Sequence, residues 1–107
     1  MVNLQDMVGE ALRIKERLGK LQEELAERRI EGSAGGGMVV AVVNGRLELL
    51  ELRFEPDLLT KEAAEVVRDL VVAAVNDGLR RARDLGKNEL GKLTGGLGLP
   101  GLGNLFS

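Results

Sequence analysis

Apolar residues in the first quarter of the chain recur at alternating steps of three and four: Leu4, Met7, Ala11, Ile14, Leu18, Leu21 and Leu25. That is the a/d seam of a coiled coil held for about three heptads, and it predicts one long helix over Asn3 to Arg28. Gly9 and Gly19 each cost about 1 kcal/mol relative to Ala, yet both fall off the seam, so they weaken the helix without interrupting it. At 1.5 Å per residue the helix is a rod of roughly 39 Å. A small domain cannot cover such a rod. The helix should project, and its seam needs a partner.

The period then shortens to two. Ile30 to Ala34 reads as a short strand, Gly35-Gly36-Gly37 as a turn, and the β-branched run Met38 to Val43 as a second strand. Asn44-Gly45 supplies the strongest short hairpin signal available. The next strand alternates, with Leu47, Leu49, Leu52 and Phe54 apolar and Glu48, Glu51, Arg53 and Glu55 polar. Leu49-Leu50 breaks the alternation and marks a bulge or a register shift. Pro56-Asp57 ends the sheet. The pattern predicts a three-stranded antiparallel meander with at least one buried face.

A second helix follows, with Asp57 or Thr60 able to cap it by offering a side-chain oxygen to its free N–H groups. Its apolar stripe of Val67, Leu70, Val71, Ala74, Val75, Leu79, Ala82 and Leu85 is broad enough to cover the sheet. Gly78 lies near the stripe and permits close approach of a neighbour. Gly86 reads as the stop, with a shorter helical piece over Lys87 to Leu93. From Gly95 the composition turns to Gly and Leu with one Pro, which predicts a flexible tail over 95–107 after a single domain over 1–94. The fold class is α+β, in the order α-β-β-β-α.

Composition removes most chemistry from consideration. The 107 residues include no Cys, His, Trp or Tyr and only two Phe, Phe54 and Phe106. Structural zinc, iron–sulfur clusters, disulfides, thiol nucleophiles and Ser-His-Asp triads are excluded, and two aromatics do not make a stacking platform for single-stranded bases. No metal site and no cofactor is expected. The N-terminal MVNLQDMVGEAL carries acids early and lacks a basic region followed by an apolar one, so it is not a signal peptide. The longest apolar runs, Met38 to Val43 and Leu70 to Val75, are six residues each, too short to span a membrane. A reducing, cytoplasmic setting is the expectation.

Two glycine motifs have bland readings that prevail. Gly86-Lys87-Asn88-Glu89-Leu90-Gly91-Lys92-Leu93 nearly spells a phosphate-binding loop, but Leu93 stands where a hydroxyl must hold Mg²⁺, and a helix rather than a strand precedes it. The run at 32–37 could cradle an anion through backbone N–H groups. A turn that tolerates positive φ is favoured instead. Carboxylate pairs can be assembled from twelve Glu, but none sits in a recognisable catalytic setting, so no enzymatic activity is expected.

Charge is distributed unevenly although the net value is only −2. The first helix carries Arg13, Lys15, Arg17 and Lys20 against Glu16, and Arg13, Arg17 and Lys20 share one side. The second adds Arg80, Arg81, Arg83, Lys87 and Lys92 against Asp84 and Glu89, while residues 31–57 hold two basic and five acidic residues. A chain polarised in this way can hold phosphates. The alternative is a solvated helix face laced with pairs such as Glu16–Lys20 and Glu24–Arg28. The heptad seam also reads two ways, against the second helix or against the same helix of another copy. Since the sheet already occupies the second helix, a homodimer is favoured.

Five pieces follow one another along the chain: Glu31-Gly32-Ser33-Ala34-Gly35-Gly36-Gly37-Met38-Val39, Val43-Asn44-Gly45, Glu55-Pro56-Asp57-Leu58-Leu59, Val72-Ala73-Ala74-Val75-Asn76-Asp77 and Gly91-Lys92-Leu93-Thr94-Gly95-Gly96-Leu97. In this order they resemble the YbaB/EbfC family of bacterial nucleoid-associated proteins. The resemblance spans nearly the whole chain. It implies a homodimer joined through its sheets, with projecting helical arms that give a tweezer-like shape, and it implies binding to duplex DNA with limited sequence preference. Effects on nucleoid organisation and gene expression are implied, and no enzymatic activity is. The chain departs from the family pattern at Val40 and Val42, where Lys and Thr are common, and at Gly78, where Ala is usual. A strand apolar on both faces suggests burial by the dimer and leaves the helices as the better DNA contacts.

The resulting expectation is a homodimeric, architectural protein that grips duplex DNA through phosphates. Arg13, Lys15, Arg17 and Lys20 on the first helix and Arg80, Arg81, Arg83 and Lys87 on the second are the candidate contacts. It has no membrane and no small-molecule partner, and a cytoplasmic, nucleoid-associated location. The alternative is a coiled-coil protein-interaction adaptor that does not bind DNA directly.

Overall fold

In the computed structural model the described residues are 3–96, with side chains described as far as Leu93. The order is α1 (Leu4–Glu27), β1 (Ile30–Ala34), β2 (Val39–Val43), β3 (Leu49–Phe54), a 3₁₀ turn (Pro56–Leu58) and α2 (Ala64–Gly96). The three strands form one antiparallel sheet in the order β1-β2-β3. The α-β-β-β-α reading therefore holds. With extents of 71 × 23 × 15 Å the molecule is a rod, since both helices outrun the sheet.

Local chemistry accounts for the ends of α1. The Asn3 side-chain oxygen accepts from the Asp6 N–H at 2.8 Å, and the Asp6 carboxylate sits favourably in the first turn of the helix dipole. Arg28 leaves in extended conformation. No residue of α1 is buried, so the rod projects as its length requires.

The core lies where α2 crosses β1 and β2. Val39 and Ala41 of β2 meet Ala74 of α2, all fully buried, with Leu52, Phe54, Leu70, Val71 and Val75 packed around them. Gly32 sets the crossing distance. A Cβ on Gly32 would collide with the α2 backbone at Ala74 and Gly78, so strand and helix touch backbone to backbone there. Asp77 secures the contact by accepting from the Ser33 N–H at 3.0 Å, on the edge of β1 that no strand covers. That bond, with Arg81 and Arg80 nearby, holds the Asp77 carboxyl below its ordinary pKa.

The other face of the sheet buries Val42 to 1% exposure within a single chain. Register places Glu31 and Glu51 on either side of Val42. Arg53 bridges both carboxylates, at 2.8 Å to Glu31 and 3.1 Å to Glu51, while Arg29 reaches Glu51 at 2.9 Å. This lattice of ions spans the three strands at the level of the valine. Its burial needs no second copy, which removes one sequence argument for a dimer at this strand.

Three features differ from the sequence expectation in detail. The β2–β3 connection runs from Asn44 to Glu48, and the left-handed residue is Leu47 (φ 64°) rather than Gly45. Asn44, buried, holds this loop: its Oδ1 accepts from the N–H groups of Arg46 and Glu48, and its Nδ2 donates to Glu48. Gly45 is needed for another reason, because its N–H donates to the Leu25 carbonyl at 2.7 Å and a Cβ would strike Leu25. Second, Val42 pairs with Glu51 and Val43 with Leu49, so Leu50 is the bulged residue anticipated from the broken alternation.

Third, α2 does not stop at Gly86. It continues unbroken to Gly96, and Leu85, Leu90 and Leu93 along this stretch are half-buried. Packing outweighs the low helix propensity of Gly86 and Gly91. The loop-like glycines at 86–91 are therefore helical and cannot wrap a phosphate. Thr60, rather than Asp57, offers its hydroxyl oxygen ahead of α2, to the Ala63 N–H at 3.2 Å. Gly35, Gly36 and Gly37 close β1 to β2 with φ of 64°, 67° and 94°, the turn reading in full. The expected flexible tail falls, from residue 97, outside the described residues.

Candidate nucleic-acid interface

The helices leave the sheet side by side and antiparallel. Leu25 anchors α1 to Gly45, and from there Arg17, Lys20, Leu21 and Glu24 of α1 face Glu89, Lys92 and Leu93 of α2 across an open groove of about 370 Å³. Five of these seven lining residues are charged, which suits an extended ionic partner better than a small apolar ligand.

The eight candidate cations divide by how they are held. Arg80 and Arg81 pair with Asp77 at 3.4 and 3.1 Å, so the carboxylate that pins α2 to β1 also neutralises them. Arg13 is only loosely engaged, 3.8 Å from Glu10, with its Nε on the Gly9 carbonyl at 3.4 Å. Lys15, Arg17, Lys20, Arg83 and Lys87 are exposed and have no ion-pair partner among the described residues. The lacing pairs expected on a merely solvated helix, Glu16–Lys20 and Glu24–Arg28, do not form among the described residues.

Position sorts them again. Arg17 and Lys20 converge with Lys92 on the interhelical groove, whereas Arg80 and Arg81 sit over the sheet. Lys92 is not among the eight candidates that the sequence supplies. Its neighbourhood with α1 depends on α2 running straight through Gly86, and no local signal announced that. Arg28, where α1 ends, has no ion-pair partner among the described residues, although i,i+4 spacing predicts one in Glu24.

Electrostatically the sheet is self-contained. Hydrogen bonding from Arg53 lowers the Glu51 pKa, and Glu51 and Glu31 in turn raise that of Arg53. Cations so engaged have less to offer a phosphate than the unpaired ones along the helices.

The chain is 46% identical over 100 residues to a nucleoid-associated protein of Thermoanaerobacter pseudethanolicus, covering 94% of this chain and 90% of that one. A nucleoid-associated protein of Desulfotalea psychrophila is 45% identical over 106 residues, covering 99% and 100%. The crystal structure of an uncharacterized protein from Helicobacter pylori superposes with a TM-score of 0.78 at 26% identity, covering 88% of this chain and 99% of its own. The model of the YbaB/EbfC DNA-binding family matches residues 1–97, nearly the whole chain, and the chain belongs to that family.

Proposed function

We propose that the protein is a nucleoid-associated, homodimeric binder of duplex DNA that holds the double helix through its phosphates. In this reading it alters DNA conformation and so influences nucleoid organisation and gene expression. The observation that carries it is the concentration of exposed, unpaired cations, Lys15, Arg17 and Lys20, on a helix that projects from the domain. Arg13, Arg83 and Lys87 extend the basic surface, and Arg80 and Arg81 contribute less because Asp77 already engages them. Twofold symmetry would double each cluster, so that one dimer clamps or bridges duplex segments.

Phosphate contacts position a protein without reading bases, so sequence preference should be weak. The chain has only two aromatic residues, too few for a stacking platform, and neither the Cys nor the His that other nucleic-acid modules use to hold zinc. Membership of a DNA-binding rather than a catalytic family supports a role without enzymatic turnover, small-molecule substrate or membrane.

Titration of random duplex against salt tests this. With about six phosphates neutralised per dimer, affinity falls roughly a thousandfold between 50 and 200 mM salt. Binding that is insensitive to salt overturns the mechanism. The adaptor reading retains one observation in its favour, the exposure of Leu4, Met7, Val8 and Leu12 on α1. No mobility shift of random duplex at micromolar dimer would select it.

A further inference from the structure

Asn44 is the one Asn of the chain that is followed by Gly. That dipeptide carries an internal reaction. The backbone nitrogen of the second residue can attack the side-chain amide carbon of the first, and glycine leaves the approach open because it has no Cβ. Packing demands both residues here. Asn44 is buried and anchors the β2–β3 loop, and a Cβ on Gly45 would strike Leu25. Neither position can take a less reactive residue without disturbing the fold.

The loop prepares one half of the reaction. Asn44 Oδ1 accepts from the N–H groups of Arg46 and Glu48 at 2.9 and 3.1 Å. Two donors on one carbonyl oxygen draw electron density from the carbon beside it and stabilise the negative charge that an attack places on the oxygen. The other polar atoms of the residue are fixed as well. Its N–H donates to the Glu48 carbonyl at 3.0 Å, its carbonyl accepts from Leu47 at 3.1 Å, and its Nδ2 donates to Glu48 Oε1 at 2.9 Å.

The other half is withheld by the first helix. The Gly45 N–H donates to the carbonyl of Leu25, in the last turn of α1, at 2.7 Å. While that bond stands, the nitrogen keeps its proton and points away from the Asn44 side chain. No residue of α1 is buried, so the acceptor sits on an element far less firmly held than the sheet. Such elements open locally well before the core does.

We propose that Asn44–Gly45 is a site of spontaneous deamidation whose rate is set by the seating of α1 on the loop. When α1 lifts, the Gly45 nitrogen gives its proton to solvent and bonds to Asn44 Cγ. The side-chain nitrogen leaves as ammonia, and a cyclic imide remains. Water then opens the imide at one carbonyl or the other, giving an aspartyl or an isoaspartyl residue. Either product ends the donation from Nδ2 to Glu48 and sets a second carboxylate beside the one Glu48 carries. The isoaspartyl form also lengthens the main chain by a methylene. α1 then reseats poorly, so an opening of the arm is recorded as a permanent chemical change.

Mass spectrometry of peptides from the full-length protein, aged at neutral pH, reads the amide-to-acid conversion at Asn44. The same chain unfolded in guanidinium chloride is the reference, and the native rate should lie at least about tenfold below it. Leu25→Asp unseats α1 and should raise the native rate by at least about fivefold. Hydrogen exchange at the Gly45 amide should quicken in step, while the Val39 and Ala41 amides of the core stay protected. Leu25→Ala, the milder change, should act in the same direction to a smaller extent. Equal rates in native and unfolded chains overturn the proposal. So does a Leu25 variant in which Gly45 exchange and conversion do not quicken together. Asn44→Asp tests the consequence: its Gly45 amide should exchange at least about fivefold faster than in the parent chain. Unchanged exchange there would overturn the claim that the product keeps α1 from its seat.

Discussion

Around the sheet, Arg29, Arg53, Arg80 and Arg81 each have a carboxylate within 3.4 Å, whereas Lys15, Arg17, Lys20, Arg83 and Lys87 along the helices have none among the described residues. Apolar surface follows the same division. β2 contributes four buried residues out of five, and α1 contributes none out of twenty-four. The sheet end spends its charge on itself and the helical end leaves its charge available. A formal charge of −2 is therefore a poor guide to what the chain can bind, because it averages over cations already paired around the sheet and cations left unpaired along the helices.

The most forceful way to break this contrast is to attack the sheet end at Gly32. Any side chain there meets the backbone of α2, so Gly32→Val should cost more than about 3 kcal/mol and leave little cooperative transition in a denaturant titration. An unchanged midpoint would mean that the helix can ride up without loss, and the backbone contact would lose its standing as the pivot of the fold.

Next in size is a paired comparison of charge reversals. Arg17→Glu with Lys20→Glu should weaken duplex binding and flatten the salt dependence by about one log unit per log unit of salt for each lost phosphate contact, leaving the thermal midpoint where it was. Arg80→Glu with Arg81→Glu should do less to affinity and more to stability, since it strips Asp77 of its cations. Equal effects on affinity from both doubles would dissolve the distinction between committed and available charge.

Smaller effects sharpen it. Asn44→Ala removes the side-chain acceptor for two loop N–H groups and should cost about 1–3 kcal/mol by chemical denaturation, with DNA affinity retained. In the opposite direction, a Cβ on Gly78 would rest 3.4 Å from the Gly32 nitrogen and from Val43, an ordinary contact. Gly78→Ala should therefore stabilise the protein by about 0.5–1 kcal/mol through helix propensity, read as a raised thermal midpoint.

The smallest expected effect concerns acid. The folded pKa of Asp77 lies below its unfolded value of about 3.9, chiefly because Ser33 donates to the ionised carboxylate. Its contribution is complete above the unfolded value and disappears as pH falls through the folded one. Asp77→Asn cannot ionise, so its stability should fall less steeply below about pH 4 than that of the parent chain. Parallel acid limbs would place the sensitivity elsewhere, with Glu51 the next carboxylate to test.

Much of this architecture was legible because local signals agreed with one another. Asn3 followed by an a/d seam marked where α1 starts, and the doubled leucine at 49–50 marked the bulge. The three glycines at 35–37 announced left-handed backbone. What escaped reading was set by residues distant in sequence. Gly86 looks like a helix stop until Leu85, Leu90 and Leu93 are seen half-buried around it. Gly45 looks like a hairpin glycine until Leu25 is found against it. The lattice over Val42 joins Arg29 to Glu51 and Arg53 to Glu31, each pair twenty-two positions apart. The candidate interface was legible in residue type, since the basic clusters are local. Which cations are free depended on partners that only the fold supplies.

The single bond from Gly45 to the Leu25 carbonyl has a mechanical consequence. From that fulcrum to the first turn of α1 is about 33 Å. A tilt of ten degrees at the joint therefore carries the tip through about 6 Å, roughly the width of a DNA minor groove. The arm is a lever with a short mount. Small changes in loop packing at Asn44–Leu47 are magnified at the tip of α1, about 20 residues away.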